Sequence, residues 1–120
     1  MKNIKGLGND IIEIDRIKKA IDLHGEIFLK RLFTEKEIKY CQKHKNNQER
    51  FAGRFAAKEA IIKALKGGGF EKKLSFLDIE ILNEENGKPY VKFLKDIPGK
   101  ILLTISHCKK MACAVAIFFN

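Results

Sequence analysis

The sequence predicts an α+β domain in which an antiparallel sheet packs on a long central helix. Three observations carry that expectation. Residues 50–65 are apolar or small nearly all round a helical wheel, as in an interior helix. Five stretches, at 4–14, 78–82, 90–93, 101–106 and 111–119, read as strands, most of them by apolar alternation. The helices fall between the first strand and the other four, and short turns separate those four, giving the order β-α-α-α-β-β-β-β with antiparallel neighbours.

Residues 4–14 open with Gly6-Leu7-Gly8. A period of two puts Gly8, Asp10, Ile12 and Ile14 on one face and Leu7, Asn9, Ile11 and Glu13 on the other. Asp10 thus shares the more apolar face, either as an inward acid with a task or as a turn carboxylate near the strand's start. Asp15 is placed to cap a helix running to about Leu23, with Ile17, Ala20 and Ile21 inward and Arg16, Lys18 and Lys19 outward; Gly25 stops it. Thr34-Glu35-Lys36-Glu37 is a capping box that starts a helix to about His44, with Ile38 and Cys41 inward.

A polar loop at 45–48 leads into the central helix. Phe51, Phe55 and Ile62 share one side of it; Ala52, Gly53, Ala56, Ala57, Ala60 and Ala64 form a second face with almost no bulk. Glu59 and Lys63 lie between the two, one turn apart, and a carboxylate beside packed surfaces is costly unless a cation satisfies it. Gly67-Gly68-Gly69 ends the helix. Asn86-Gly87 marks a hairpin between strands 78–82 and 90–93, and Pro98-Gly99 lies in the connector to the fourth strand. His107 to Lys110 reads as a turn. In the last strand Ala112, Ala114 and Ala116 line one face and Cys113, Val115 and Ile117 the other. Both read as buried, so one of them is expected to meet another subunit.

At 120 residues, 45% hydrophobic and 32% charged, the chain is expected to be one globular domain spanning 1–120. No apolar run approaches the ~20 residues of a membrane span, and the opening lacks the apolar core of a signal peptide, so a cytoplasmic protein is expected. Three cysteines without C-x-x-C spacing argue against a disulfide framework or a structural zinc site. The net charge of +9 calls for an acidic partner or ligand but does not choose among nucleic acid, an anionic membrane, a phosphate-rich cofactor and an acidic protein.

Two acids stand out chemically. Asp10 and Glu59 together suit Mg²⁺, which takes oxygen ligands and often only one or two protein carboxylates alongside substrate phosphates. Lys63 then faces a phosphate or accepts a proton; the plainer alternative is a Glu59–Lys63 helix pair worth only ~0.2–0.5 kcal/mol. His107, beside Lys109 and Lys110, is a turn residue or a phosphate contact. No Ser/His/Asp or Cys/His arrangement emerges from spacing.

Three blocks together go further. Residues 6–17, GLGNDIIEIDRI, resemble the G-x-G-x-D-I-x-x-I-x-R-I opening of holo-acyl-carrier-protein synthases. Residues 50–65, RFAGRFAAKEAIIKAL, resemble that family's central helix. Ile105-Ser106-His107 with the following A-C-A-V-A-I run is similar to its closing strand turn. Residues 28–37 and Asn86-Gly87-Lys88-Pro89 also fit, so the resemblance covers essentially the whole chain.

The resemblance implies a 4′-phosphopantetheinyl transferase-like fold. It also implies Mg²⁺-dependent transfer of 4′-phosphopantetheine from coenzyme A to a serine of apo acyl carrier protein, releasing adenosine 3′,5′-bisphosphate. A homotrimer with active sites at subunit boundaries is typical of the family. By the same resemblance Asp10 and Glu59 match the metal ligands, and Lys63 the lysine near the reacting phosphate. Arg54 and His107 match contacts to the coenzyme's phosphates, and Gly87, Lys88 and Pro89 form the turn near its nucleotide end. Arg16 matches a basic position facing the acidic carrier. Gly67-Gly68-Gly69 departs from the family's usual G-x-G-type loop, and the connector around Pro98 leaves no room for a longer helix. Neither a nucleic acid nor a membrane is the expected partner: no nucleic-acid motif appears, and most of the nine phenylalanines sit in apolar patterns rather than among lysines. A Mg²⁺-dependent phosphohydrolase shares the acids but not the carrier-binding helix.

Overall fold

The computed structural model describes residues 3–120. Strand β1 (Ile4–Glu13) runs directly into helix α1 (Ile14–His24), followed by α2 (Glu26–Leu32), α3 (Glu35–Gln42) and the 21-residue α4 (Asn47–Gly67). A 3-10 turn at Phe76–Asp78 precedes β2 (Ile79–Asn83), β3 (Pro89–Phe93), β4 (Lys100–His107) and β5 (Met111–Phe119).

The α+β class stands, but the strands form two antiparallel sheets rather than one: a three-stranded sheet in the order β1-β5-β4 and a separate β2-β3 hairpin. Alternation shows which residues share a face, not which strands pair. Register places Gly8 opposite Ala116, Asp10 opposite Ala114 and Ile12 opposite Ala112. On the other side of β5, Ile105 faces Ala114 and His107 faces Ala112.

This inner row of small residues meets the small face of α4, where Ala52, Ala56, Ala57, Ala60 and Ala64 are fully buried. The approach is as close as backbones allow. A Cβ on Gly8 would stand 1.9 Å from the carbonyl oxygen of Ala60, and one on Gly6 1.9 Å from that of Ala64. The alanine faces of α4 and β5 are therefore buried against each other within one chain, not at a subunit boundary. The opposite face of the sheet is open, with Leu7, Ile11, Leu102 and Val115 exposed.

Other elements depart from expectation in specific ways. Ile14 begins α1 rather than ending β1. Asp15 is not a cap: the N-cap is Glu13, and Asp15 pairs instead with Lys19 at 3.1 Å in the first turn. Helix α2 was not anticipated, because seven residues between Gly25 and Phe33 offer barely two turns of periodicity. Helix α4 starts at Asn47, inside the expected loop. His107 closes β4 rather than opening a turn. The capping box of α3 forms as expected: the Thr34 hydroxyl accepts from the Glu37 amide at 3.4 Å, and the Glu37 carboxylate accepts from the Thr34 amide at 2.8 Å.

Candidate active site

The residues singled out in the sequence gather into two clusters, both built on α4. The first lies where β1 crosses the helix. Lys63 donates to the Asn9 carbonyl at 3.0 Å and lies 3.4 Å from the Asp10 carboxylate. The Asp10 side chain is 17% exposed and that of Lys63 54%, so the pair borders solvent. Glu59 is half-buried one turn before Lys63, on the same side of α4. The lysine ties Asp10 to the helix side that carries Glu59.

The donor chemistry of this cluster fits a hard divalent cation. Two carboxylates are available, and no group of three or more His, Cys, Asp or Glu side chains able to hold a metal occurs among the described residues. A soft or tetrahedral metal would need more, whereas Mg²⁺ keeps most of its ligands for water and phosphate.

The second cluster lines a cavity of about 160 Å³ where the start of α4, the end of β4 and the β2–β3 turn converge. Arg50 and Arg54 come from α4, His107 from β4, and Gly87 and Pro89 from the turn. Arg54 is only 4% exposed. Its guanidinium lies 4.3 Å over the Tyr40 ring, one Nη donates to the Asn83 side-chain oxygen, and Nε has no hydrogen-bond partner among the described residues. His107 Nδ1 stands 3.6 Å from a Glu49 carboxylate oxygen, too far for a hydrogen bond. Two guanidiniums and an imidazole around a small concavity, with one buried N–H unspent, can hold an anion, beside the Glu49 carboxylate that lines the same cavity.

Lys88 does not reach this cavity; it lines a neighbouring groove with Pro89, Tyr90 and Leu102. Arg16 is exposed on α1, outside both clusters.

Sequence reasoning placed the costly buried charge one residue off. It is Lys58, not Glu59, that is fully buried, paired at 2.7 Å with an equally buried Glu37. All three ammonium protons have acceptors: Glu37, the Leu32 carbonyl at 2.7 Å and the Phe76 carbonyl at 3.0 Å. Glu37 also accepts from the Ile81 amide at 2.8 Å. Burial pushes the Lys58 ammonium below the usual lysine range, and the Glu37 carboxylate opposes that push. This pair locks α2, α3 and β2 onto α4 behind the site. Its one signal in the sequence was the capping-box Glu37, read only as a cap. Asn83 and Tyr40, which fix Arg54, carried no signal.

Residues 6–116 match the model of the 4′-phosphopantetheinyl transferase superfamily. Relatives named holo-[acyl-carrier-protein] synthase include one from Protochlamydia amoebophila, 49% identical over 94% of this chain and 96% of the relative. Another, from Clostridium tetani, is 50% identical over 95% of this chain and 94% of its own length. Among solved structures, a Bacillus anthracis holo-(acyl-carrier-protein) synthase in complex with CoA (3′,5′-ADP) matches with a TM-score of 0.82 and 38% identity, covering 98% of this chain and 97% of that one. A Helicobacter pylori holo-[acyl-carrier-protein] synthase in complex with coenzyme A matches with a TM-score of 0.81 and 35% identity, over 93% of this chain and 98% of that one. The chain belongs to the 4′-phosphopantetheinyl transferase superfamily, as an enzyme of its holo-acyl-carrier-protein synthase branch.

Proposed function

We propose that this chain moves 4′-phosphopantetheine from coenzyme A to a serine of an apo acyl carrier protein, releases adenosine 3′,5′-bisphosphate and requires Mg²⁺. The observation that carries the reading is the Asp10–Lys63 contact beside Glu59: two carboxylates and an ammonium at one edge of α4, in a chain similar to two solved synthases in complex with coenzyme A.

Asp10 and Glu59 supply the hard oxygen donors that hold the metal. Bound Mg²⁺ supplies charge neutralisation at the pyrophosphate. The serine oxygen forms a bond to the phosphorus bearing the pantetheine arm, and the bond from that phosphorus to the bisphosphate oxygen breaks. The serine proton leaves to Glu59, to Lys63 or to an ordered water at the reacting centre. Lys63 otherwise exchanges its Asp10 contact for the transferring phosphate. Arg54 and His107 grip the phosphates of the nucleotide end, with Gly87 and Pro89 in the wall of that site and Lys88 in the adjoining groove.

Arg16, exposed on the first turn of α1, faces the acidic carrier, and the net charge of +9 draws both polyanions in. The open apolar sheet face supports a homotrimer, with sites completed at the boundaries between copies. The three free thiols are compatible with a reducing cytoplasm.

Intact-mass analysis of an apo acyl carrier protein incubated with this chain and coenzyme A tests the proposal. A phosphopantetheine-sized gain that a chelator abolishes is expected. Confirmed coenzyme A binding with no gain on several acidic carriers would refute the carrier as substrate.

A further inference from the structure

Asn83 closes β2 opposite Pro89, at the mouth of the cavity that holds Arg54. Its amide is used at both ends. The side-chain oxygen accepts from an Arg54 Nη, and the side-chain nitrogen donates to the Gly87 carbonyl at 3.0 Å. The partners fix the amide's orientation: reversed, it would set N–H against N–H and oxygen against oxygen.

The turn it braces is tight and carries hydrogen bonds of its own. The Glu84 amide donates to the Lys88 carbonyl at 2.9 Å, the Gly87 amide to the Glu84 carbonyl at 2.8 Å, and the Lys88 amide to the Asn86 side chain at 3.0 Å. Gly87 sits at a φ of 89°, which an L side chain adopts only with strain. Pro89 has no N–H to tie the turn to anything. Asn83 therefore links helix α4 to the turn, while Tyr40 holds the face of the same guanidinium.

We infer that Asn83 is a positioning residue for the coenzyme's adenosine bisphosphate end, clamping Arg54 and the Gly87 turn into one prearranged wall. This rests on the reading of the Arg54 cavity as the nucleotide site. Asn83 needs no contact with the ligand. It directs the guanidinium edge, so that the unspent Nε and remaining N–H donors meet phosphate without first being ordered.

The test compares binding of adenosine 3′,5′-bisphosphate by calorimetry with steady-state kinetics for coenzyme A and carrier. Asn83→Ala removes both ends of the clamp and is expected to weaken bisphosphate binding and raise KM for coenzyme A, each about tenfold. Carrier KM and kcat stay within about twofold, a split that general loosening of the fold would not produce. Asn83→Asp keeps the acceptor for Arg54 but loses the donor to Gly87 and sets a carboxylate against the guanidinium, offsetting the charge it presents to phosphate. It is expected to bind worse than the alanine variant, about thirtyfold weaker than the parent. Unchanged bisphosphate affinity in both variants overturns the inference, as does an equal loss in carrier KM. Arg54→Gln separates the two levels. If it binds bisphosphate as tightly as the parent, the nucleotide-site reading itself is wrong. If it binds weakly while the Asn83 variants bind normally, only the clamp is refuted.

Discussion

Lys58 and Glu37 show what a single buried charge does to the chain's tolerance of change. An ammonium with three acceptors and a carboxylate with its own donors are balanced; neither half is balanced alone. Lys58→Met leaves Glu37 buried and unpaired and is expected to cost about 3–5 kcal/mol, read as a fall in chemical-denaturation midpoint. Lys58→Met combined with Glu37→Leu should recover most of that loss, because a matched apolar pair avoids the desolvation cost. Recovery of less than half would mean that the backbone acceptors, not the ion pair, set the stability. The cysteines give a pH-dependent contrast. Backbone N–H groups of Lys110 and Met111 hold the Cys108 thiol below its ordinary value of 9.0, whereas burial pushes Cys41 up to about 11. A lowered pKa leaves more thiolate at a given pH, so Cys108 alkylation should reach half its limiting rate below pH 9.0. Cys41 should stay unlabelled in the folded chain across that range, as peptide mapping after iodoacetamide treatment would show.

Between elements, the β1–α4 crossing decides where Asp10 stands relative to Lys63 and Glu59. Gly8 lets the strand lie on the Ala60 carbonyl, and Asp10 is two residues further along the same face. Gly8→Ala cannot be absorbed by a flexible side chain, since its Cβ meets backbone. The strand must lift, at a cost of about 3 kcal/mol or more. Because the lift carries Asp10 away from Glu59 and Lys63, activity should fall further than the unfolding midpoint predicts. Parent-like kcat in a folded Gly8→Ala chain would show that the crossing does not position the carboxylates proposed to hold the metal. This crossing was legible in advance: the glycine spacing of β1 and the alanine face of α4 announce close packing, and Asp10 inherits its place from period two. What the pattern hid was pairing and charge partnership. Helix α2 is too short to show periodicity and is held partly from outside, by the Lys58 ammonium on its Leu32 carbonyl. The division into two sheets depends on which strands find each other across the Pro98–Gly99 connector, which no local alternation encodes. Asn83 looked like an ordinary turn residue because its partner Arg54 is 29 positions away.

For the whole molecule the decisive feature is the uncovered sheet. One face of β1-β5-β4 is sealed by α4; the other presents Leu7 at 66%, Ile11 at 65%, Leu102 at 54% and Val115 at 42% exposure, contiguous across three strands. An apolar face of this kind suits an interaction surface, and the cyclic assembly proposed above would cover it without leaving an open end. The groove containing Lys88 and Pro89 runs onto the same face, with Val115 and Ile117 in its wall, so a neighbouring copy would border the rim of the Arg54 cavity. Assembly and activity should therefore be lost together. Val115→Asp places a charge in the middle strand, opposite Asn9 on one side and Thr104 on the other, with no cation on that row. Light scattering after size exclusion should show the parent at three times the chain mass and the variant at one, with helical circular dichroism retained because α4 and its core lie on the other face. Phosphopantetheine transfer by the variant should drop by about a hundredfold or more, while adenosine 3′,5′-bisphosphate still binds the Arg54 cavity at weakened affinity, since that cavity is lined within one chain. A monomeric Val115→Asp chain with full transfer activity would show that one copy holds a complete site, and the open sheet would then have to serve a different partner.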